Sequence, residues 1–233
     1  MADRPPAHSG SWSTARNRGA GVTPPACSCH PGPQPPYSSV VVDPEPVPAM
    51  LPGASPPPGG SEVVDWITSS TRRGRTITAA IPAIYARYAT VVVPDGDTEK
   101  TLADAALVEV LQAHTPAQPW WLGYLDTGVA DLVAADAPKV AVYVGWPYVL
   151  LEGGPESALS ARRNLDATPW HSALPELVFP RDRSCLVSTL WDDDWRCVGG
   201  PAALVGALLL RPDLQVRAVG LDEDATPPGH ASG

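Results

Sequence analysis

The sequence predicts an α+β domain: a mainly antiparallel sheet built from hairpins, with two or three helices packed on it, behind a disordered N-terminal segment. Three observations predict it. The β-branched and aromatic runs come in pairs joined by turn residues and do not alternate regularly with helices. Only one long stretch, residues 97–114, carries a clear helical period. And 15 of the 29 prolines fall in residues 1–60, where no apolar run has a strand or helix period.

Taken in order, residues 1–60 are too poor in large apolar side chains to offset the entropy of ordering a backbone. Their one β-like patch, Val40-Val41-Val42, is followed at once by Pro44, Pro46 and Pro48. Met50 is the only internal methionine. A translation start near Met50 or Val63 would make the upstream stretch a gene-model artefact; recovery of peptides from residues 2–40 in native protein would exclude this. A single domain is expected over 61–220.

Residues 62–69 are a short apolar segment, and Thr71-Arg72-Arg73-Gly74-Arg75 reads as a solvated basic linker. Residues 77–88 read as a short helix with Pro82 in its first turn, and Tyr85 and Tyr88 on one face. Residues 90–93 are β-branched and stop at the turn Pro94-Asp95-Gly96. In the helix over 97–114, Leu102, Ala106, Val110 and Leu111 are expected inward, with Glu99, Lys100, Asp104, Glu109 and Gln112 outward.

Residues 120–125 predict a strand ending at Asp126-Thr127-Gly128. Residues 139–144 and 148–152 predict a hairpin turning at Gly145-Trp146-Pro147. A helix is expected from Gly153 to about residue 164, then a loop over 165–183 interrupted by Pro169, Pro175 and Pro180. Residues 184–191 and 195–198 form the strongest predicted hairpin, around Asp192-Asp193-Asp194. Gly199-Gly200-Pro201 starts a last helix through about residue 210, residues 214–219 return as a strand, and 221–233 read as a flexible acidic tail.

Charge narrows the function classes. Residues 1–60 are neutral, with Asp3, Asp43 and Glu45 against Arg4, Arg16 and Arg18, so the net charge of −9 sits entirely after residue 60. An acidic domain repels phosphate backbones, which argues against nucleic acid and for a basic or mixed-charge protein partner. No apolar run is long enough to span a membrane and no secretory leader is visible, so a cytoplasmic protein is expected. No cofactor-binding motif and no metal-ligand spacing is present, and neither a cofactor nor a metal is expected; Cys27-Ser28-Cys29-His30 lacks a matching second half.

The leading candidate site is Trp191-Asp192-Asp193-Asp194-Trp195. Three consecutive carboxylates repel one another and need water, a cation or basic groups nearby. A non-catalytic protein-interaction surface, acidic and framed by the two tryptophans, is the function expected from it. If Trp191 faces Trp195, Cys197 stands opposite Thr189. Cys185 then lies about 13 Å further along at ~3.3 Å per residue, beyond the ~7 Å reach of a disulfide. Both thiols are expected free, buried and on the same face as the tryptophans.

The alternative is a hydrolase. Tyr124-Leu125-Asp126-Thr127-Gly128-Val129-Ala130-Asp131 resembles the active-site turn of the retropepsins, over about ten residues. That resemblance implies that Asp126 would act with the same residue of a second subunit, the two carboxyls sharing a proton. A Ser-His-Asp or Cys-His site would instead draw on His171, with Cys185 or Asp166 near it.

The runs Pro119-Trp120-Trp121-Leu122-Gly123-Tyr124-Leu125-Asp126-Thr127-Gly128 and Leu186-Val187-Ser188-Thr189-Leu190-Trp191-Asp192-Asp193-Asp194-Trp195 resemble an uncharacterised family of hypothetical proteins from GC-rich bacteria. That resemblance would span residues 61–222 and implies no activity. In shape and charge the domain is similar, more loosely, to the small acidic immunity proteins of bacterial toxin systems.

Overall fold

A computed structural model describes residues 60–128, 137–160, 174–190 and 193–230. Eight strands form one open antiparallel sheet: β1 (Arg87–Val92), β2 (Trp120–Leu125), β3 (Lys139–Val142), β4 (Trp146–Gly153), β5 (Leu177–Pro180), β6 (Leu186–Ser188), β7 (Trp195–Gly200) and β8 (Val216–Val219). Their order across the sheet is β3-β4-β2-β5-β6-β7-β1-β8. Three neighbouring pairs, β3–β4, β5–β6 and β6–β7, are sequence-consecutive; the turn signals predict the first and the last of them, and β5–β6 is new. The other four are not: β2 lies between β4 and β5, and β1, first in the chain, lies between β7 and β8.

Three helices accompany the sheet: α1 (Asp65–Thr68), α2 (Asp97–His114) and α3 (Ala202–Leu209). The α2 helix makes the long crossing from β1 to β2, four strand intervals or ~19 Å. Its 18 residues reach about 27 Å, enough to cross obliquely. Asp97 and Glu99 in its first turn suit the helix dipole. Its inward stripe is Ala103, Ala106, Leu107, Val110 and Leu111, whereas Leu102 is exposed. Asp104 is also inward, contrary to the sequence reading, because Arg196 of β7 reaches it and supplies the charge that burial demands.

Both faces of the sheet are covered. Leu107, Leu111, Leu204 and Leu208 of α2 and α3 pack on Val91, Leu122, Tyr124, Val149, Val187 and Val198. On the other face Val64, Ile67, Ile77 and Ile81, all fully buried, cover Tyr148, Leu150, Leu177, Phe179 and Leu186. Double coverage explains the unbroken apolar run of β2, Trp-Trp-Leu-Gly-Tyr-Leu, every residue of which is buried.

Several local expectations change. Residues 77–88 are not a helix: only Ile77–Ala79 makes a 3₁₀ turn before the chain extends into β1. The Tyr85 N–H instead donates to the Tyr88 hydroxyl (2.9 Å), and the two rings meet edge to face. The helix expected after Gly153 is a 3₁₀ turn at Pro155–Leu159. The stretch 165–183, read as loop, contains β5, whose prolines fall beside and at the end of the strand, where they interrupt little of the ladder.

The β6–β7 hairpin forms as expected but in a shifted register. Cys197 stands opposite Ser188, not Thr189. A one-residue slip exchanges faces, so Cys197 packs on the α1 side and Cys185 on the α2 and α3 side. Both thiols are free and buried. The segment expected to be a flexible tail makes specific contacts between residues 220 and 230. Ala225 is buried, its N–H donates to the Arg75 carbonyl (2.7 Å), and Arg217 Nη2 donates to the carbonyls of Asp224 and Thr226. No helix among the described residues is long and apolar enough to cross a membrane.

Candidate functional site

Two tight turns, the β6–β7 hairpin and the C-terminal segment converge on the α1 side of the sheet and line an open cavity of about 570 Å³. The first turn follows α1. Thr71 closes it through both its N–H and its hydroxyl, each donating to the Ile67 carbonyl at 3.0 Å. The Arg72 N–H donates to the Thr78 carbonyl (3.2 Å), and an isolated bridge ties Thr76 to Asp224. These backbone bonds fix Arg72, Arg73 and Arg75 on one rim of the cavity with their side chains exposed.

The second turn joins β3 to β4. Tyr143 occupies it with φ +47° and Gly145 with φ +91°. For a tyrosine this left-handed conformation costs about 1–2 kcal/mol. What holds it there is the buried hydroxyl, which is 2.9 Å from the Ala80 carbonyl and 2.6 Å from Ser188 Oγ. Tyr143 and Trp146 thereby stand in the cavity wall.

The third element is the β6–β7 hairpin, which contributes Leu190, Asp193, Trp195 and Cys197. Trp195 is only 2 % exposed. Its ring therefore does not frame an outer acidic surface as expected; it lies inward because its strand position points to the α1 side, opposite Val92 of β1. Its indole N–H has no hydrogen-bond partner among the described residues that meets ordinary geometry; the Cys197 thiol, a weak acceptor, is the group beside it. Burial, with the Asp193 carboxylate adding to it, pushes the Cys197 thiol far up, and burial does the same to the Tyr143 phenol. The thiol and the phenol are therefore both neutral at physiological pH.

The candidate residues from the sequence disperse. Asp193 lines the cavity, its N–H donating to the Leu190 carbonyl (3.1 Å). Asp194 turns away: its carbonyl accepts from the Val93 N–H (2.8 Å), and His230 Nδ1–H donates to its Oδ2 (2.6 Å). The His230 ring sits edge to face with Trp195, so Asp194 clasps the C-terminal segment to the hairpin. Trp191, Asp192 and His171 lie outside the described residues, as does the Cys27-Ser28-Cys29-His30 cluster.

Asp126 is not part of the cavity. Its N–H donates to the Pro147 carbonyl (2.9 Å), and its Oδ1 accepts from the Gly128 N–H (3.1 Å), which makes a local turn. Its Oδ2 is ion-paired with Lys139 at the start of β3. The Lys139 ammonium holds the Asp126 carboxyl below the usual carboxylate range. Among the described residues no group of three or more His, Cys, Asp and Glu side chains is placed to hold a metal ion.

Sequence reasoning took the arginine turn for a solvated linker and gave it no part in a site. Its signal was present: three arginines in four residues with no acid among them. The aromatic wall opposite is a tertiary feature, assembled from residues about 70 to 120 positions later, and periodicity carries no trace of it. Comparison with known protein families, curated proteins and solved structures finds no match to this chain.

Proposed function

We propose that the chain is a non-catalytic binding domain whose ligand is a small molecule seated in the cavity between the Arg72–Arg75 turn and the β6–β7 hairpin. The observation that carries this reading is the cavity itself. Its volume, about 570 Å³, falls in the range of small-molecule sites, and it joins aromatic walls to a few polar groups, the usual composition of such sites. The mixed charge expected of a partner is carried over to the ligand, which meets both the arginine rim and Asp193. Support for a role without chemistry comes from two groups of the inner wall: the Cys197 thiol and the Tyr143 phenol are both shifted away from reactivity.

A fragment titration followed by amide NMR of the full chain tests this. Binding fragments should shift the resonances of residues 72–76, 143–146 and 193–197 together. Fragments that cluster elsewhere, or that never perturb these three segments, would overturn the reading. Should only a protein partner perturb residues 193–195, leaving 72–76 unmoved, the hairpin acts by itself and the pocket is not the site.

A further inference from the structure

We infer that the ligand of this pocket is an anion, a carboxylate or a phosphate, carried on a flat apolar ring, an inference that rests on the pocket reading above. The first support is an imbalance of charge. Three of the six other described arginines find acids: Arg181 pairs with Glu152, Arg196 with Asp104, and Arg211 with both Glu109 and Asp213, while Arg183 stacks over Trp66 and Arg217 donates to backbone carbonyls. Arg72 and Arg73 form no ion pair and no side-chain hydrogen bond with any described residue, although 25 acids stand against 16 bases in the chain. Arg75 is drawn only towards the Asp224 charge, without a hydrogen bond. Three like charges on one turn repel one another, and an anion spanning them removes that repulsion while accepting charge-assisted hydrogen bonds.

The second support is the opposite wall. Tyr143, Trp146, Leu190 and Trp195 present aromatic and apolar surface within the same cavity. The domain's overall negative charge weakens long-range attraction for any free anion. A bare phosphate or acetate therefore gains little here, and ring contact must supply much of the affinity.

Three probes of similar shape separate these contributions: 1-naphthyl phosphate, 1-naphthoate and neutral 1-naphthol, each titrated into the full chain and followed by amide NMR. Both anions, or one of them, should bind at residues 72–76 and 143–146 at least about tenfold tighter than naphthol, the ratio that about 1.4 kcal/mol supplies. The tighter of the two anions tells phosphate from carboxylate. Arg72→Ala, Arg73→Ala and Arg75→Ala together should bring the anions down to the naphthol level and leave naphthol unchanged. The backbone bonds of this turn survive those substitutions. In the wild-type chain, raising the salt should weaken only the anions. Equal binding of all three probes would overturn the anion assignment and leave the pocket reading standing. Silence of residues 72–76 and 143–146 to every probe and every fragment would overturn both.

Discussion

Arg196 of β7 and Asp104 of α2 form an ion pair with side-chain exposures of 2 % and 0 %. The Asp104 carboxylate also accepts the Leu174 N–H at 3.1 Å, so one buried acid ties the sheet, the long helix and the chain entering β5. Removing either side chain takes a buried, directly bonded counter-charge from the other. Asp104→Ala and Arg196→Met should each cost about 3–5 kcal/mol, read from urea denaturation. The pair replaced together by Asp104→Leu and Arg196→Met should lose less than the sum of the single losses. Additive losses would show that the two side chains are not coupled.

A second prediction concerns close packing. A Cβ on Gly199 would fall 2.5 Å from both Ile81 Cγ2 and Tyr85 Cδ2, which puts the covering segment almost on the backbone of β7. Gly199→Ala should destabilise by about 1–3 kcal/mol through overpacking. Adding Tyr85→Leu should return part of the loss in thermal melts. A neutral Gly199→Ala would mean that residues 77–85 can lift from the sheet at little cost.

The pair Asp126–Lys139 sets a pH dependence. The carboxyl is held below its ordinary value in the folded chain. Its stabilising contribution is therefore complete above the unfolded value of about 3.9 and is lost as pH falls through the lower folded value. Because Lys139 is nearly half exposed, the contribution is at most about 1 kcal/mol. In Lys139→Ala the Asp126 carboxyl should titrate closer to its usual range by carbon-detected NMR, and the acid-side loss of stability should shrink. An Asp126 titration indifferent to Lys139 would refute this.

The buried thiols give a fourth. Burial, with Asp182 nearby, pushes Cys185 up to about 12, so at pH 8 only about one thiol in ten thousand is ionised. Alkylation needs the thiolate. Peptides containing Cys185 and Cys197 should stay unmodified by iodoacetamide in native protein at pH 8 and become fully modified in guanidinium. Native labelling of Cys197 alone would show that the cavity wall opens to reagents.

Legibility in the sequence followed the range of the interaction. The strand β2, the helix α2 and the β6–β7 hairpin were visible because their patterns are local: an unbroken apolar run, a 3.6-residue period, and turn residues between β-branched runs. The β5 strand was hidden by Pro175 and Pro180, which read as loop unless the strand's short length and end position are known. The faces of Cys185 and Cys197 depended on register, and one residue of slip exchanged them. Asp104 looked like a solvent residue because its partner lies 92 positions away. The pocket was the least legible feature, since its rim and its wall meet only after the sheet forms.

The place of β1 has a consequence for biosynthesis. Between Val92 and its partner Trp195 lie about a hundred residues, which a ribosome adds in roughly 5–20 s. Through that interval β1 and the apolar segment ahead of it have left the tunnel without the strands that flank them. The nascent chain therefore exposes an unpaired, β-branched edge for seconds, the kind of intermediate on which chaperones act and on which chains pair wrongly with one another.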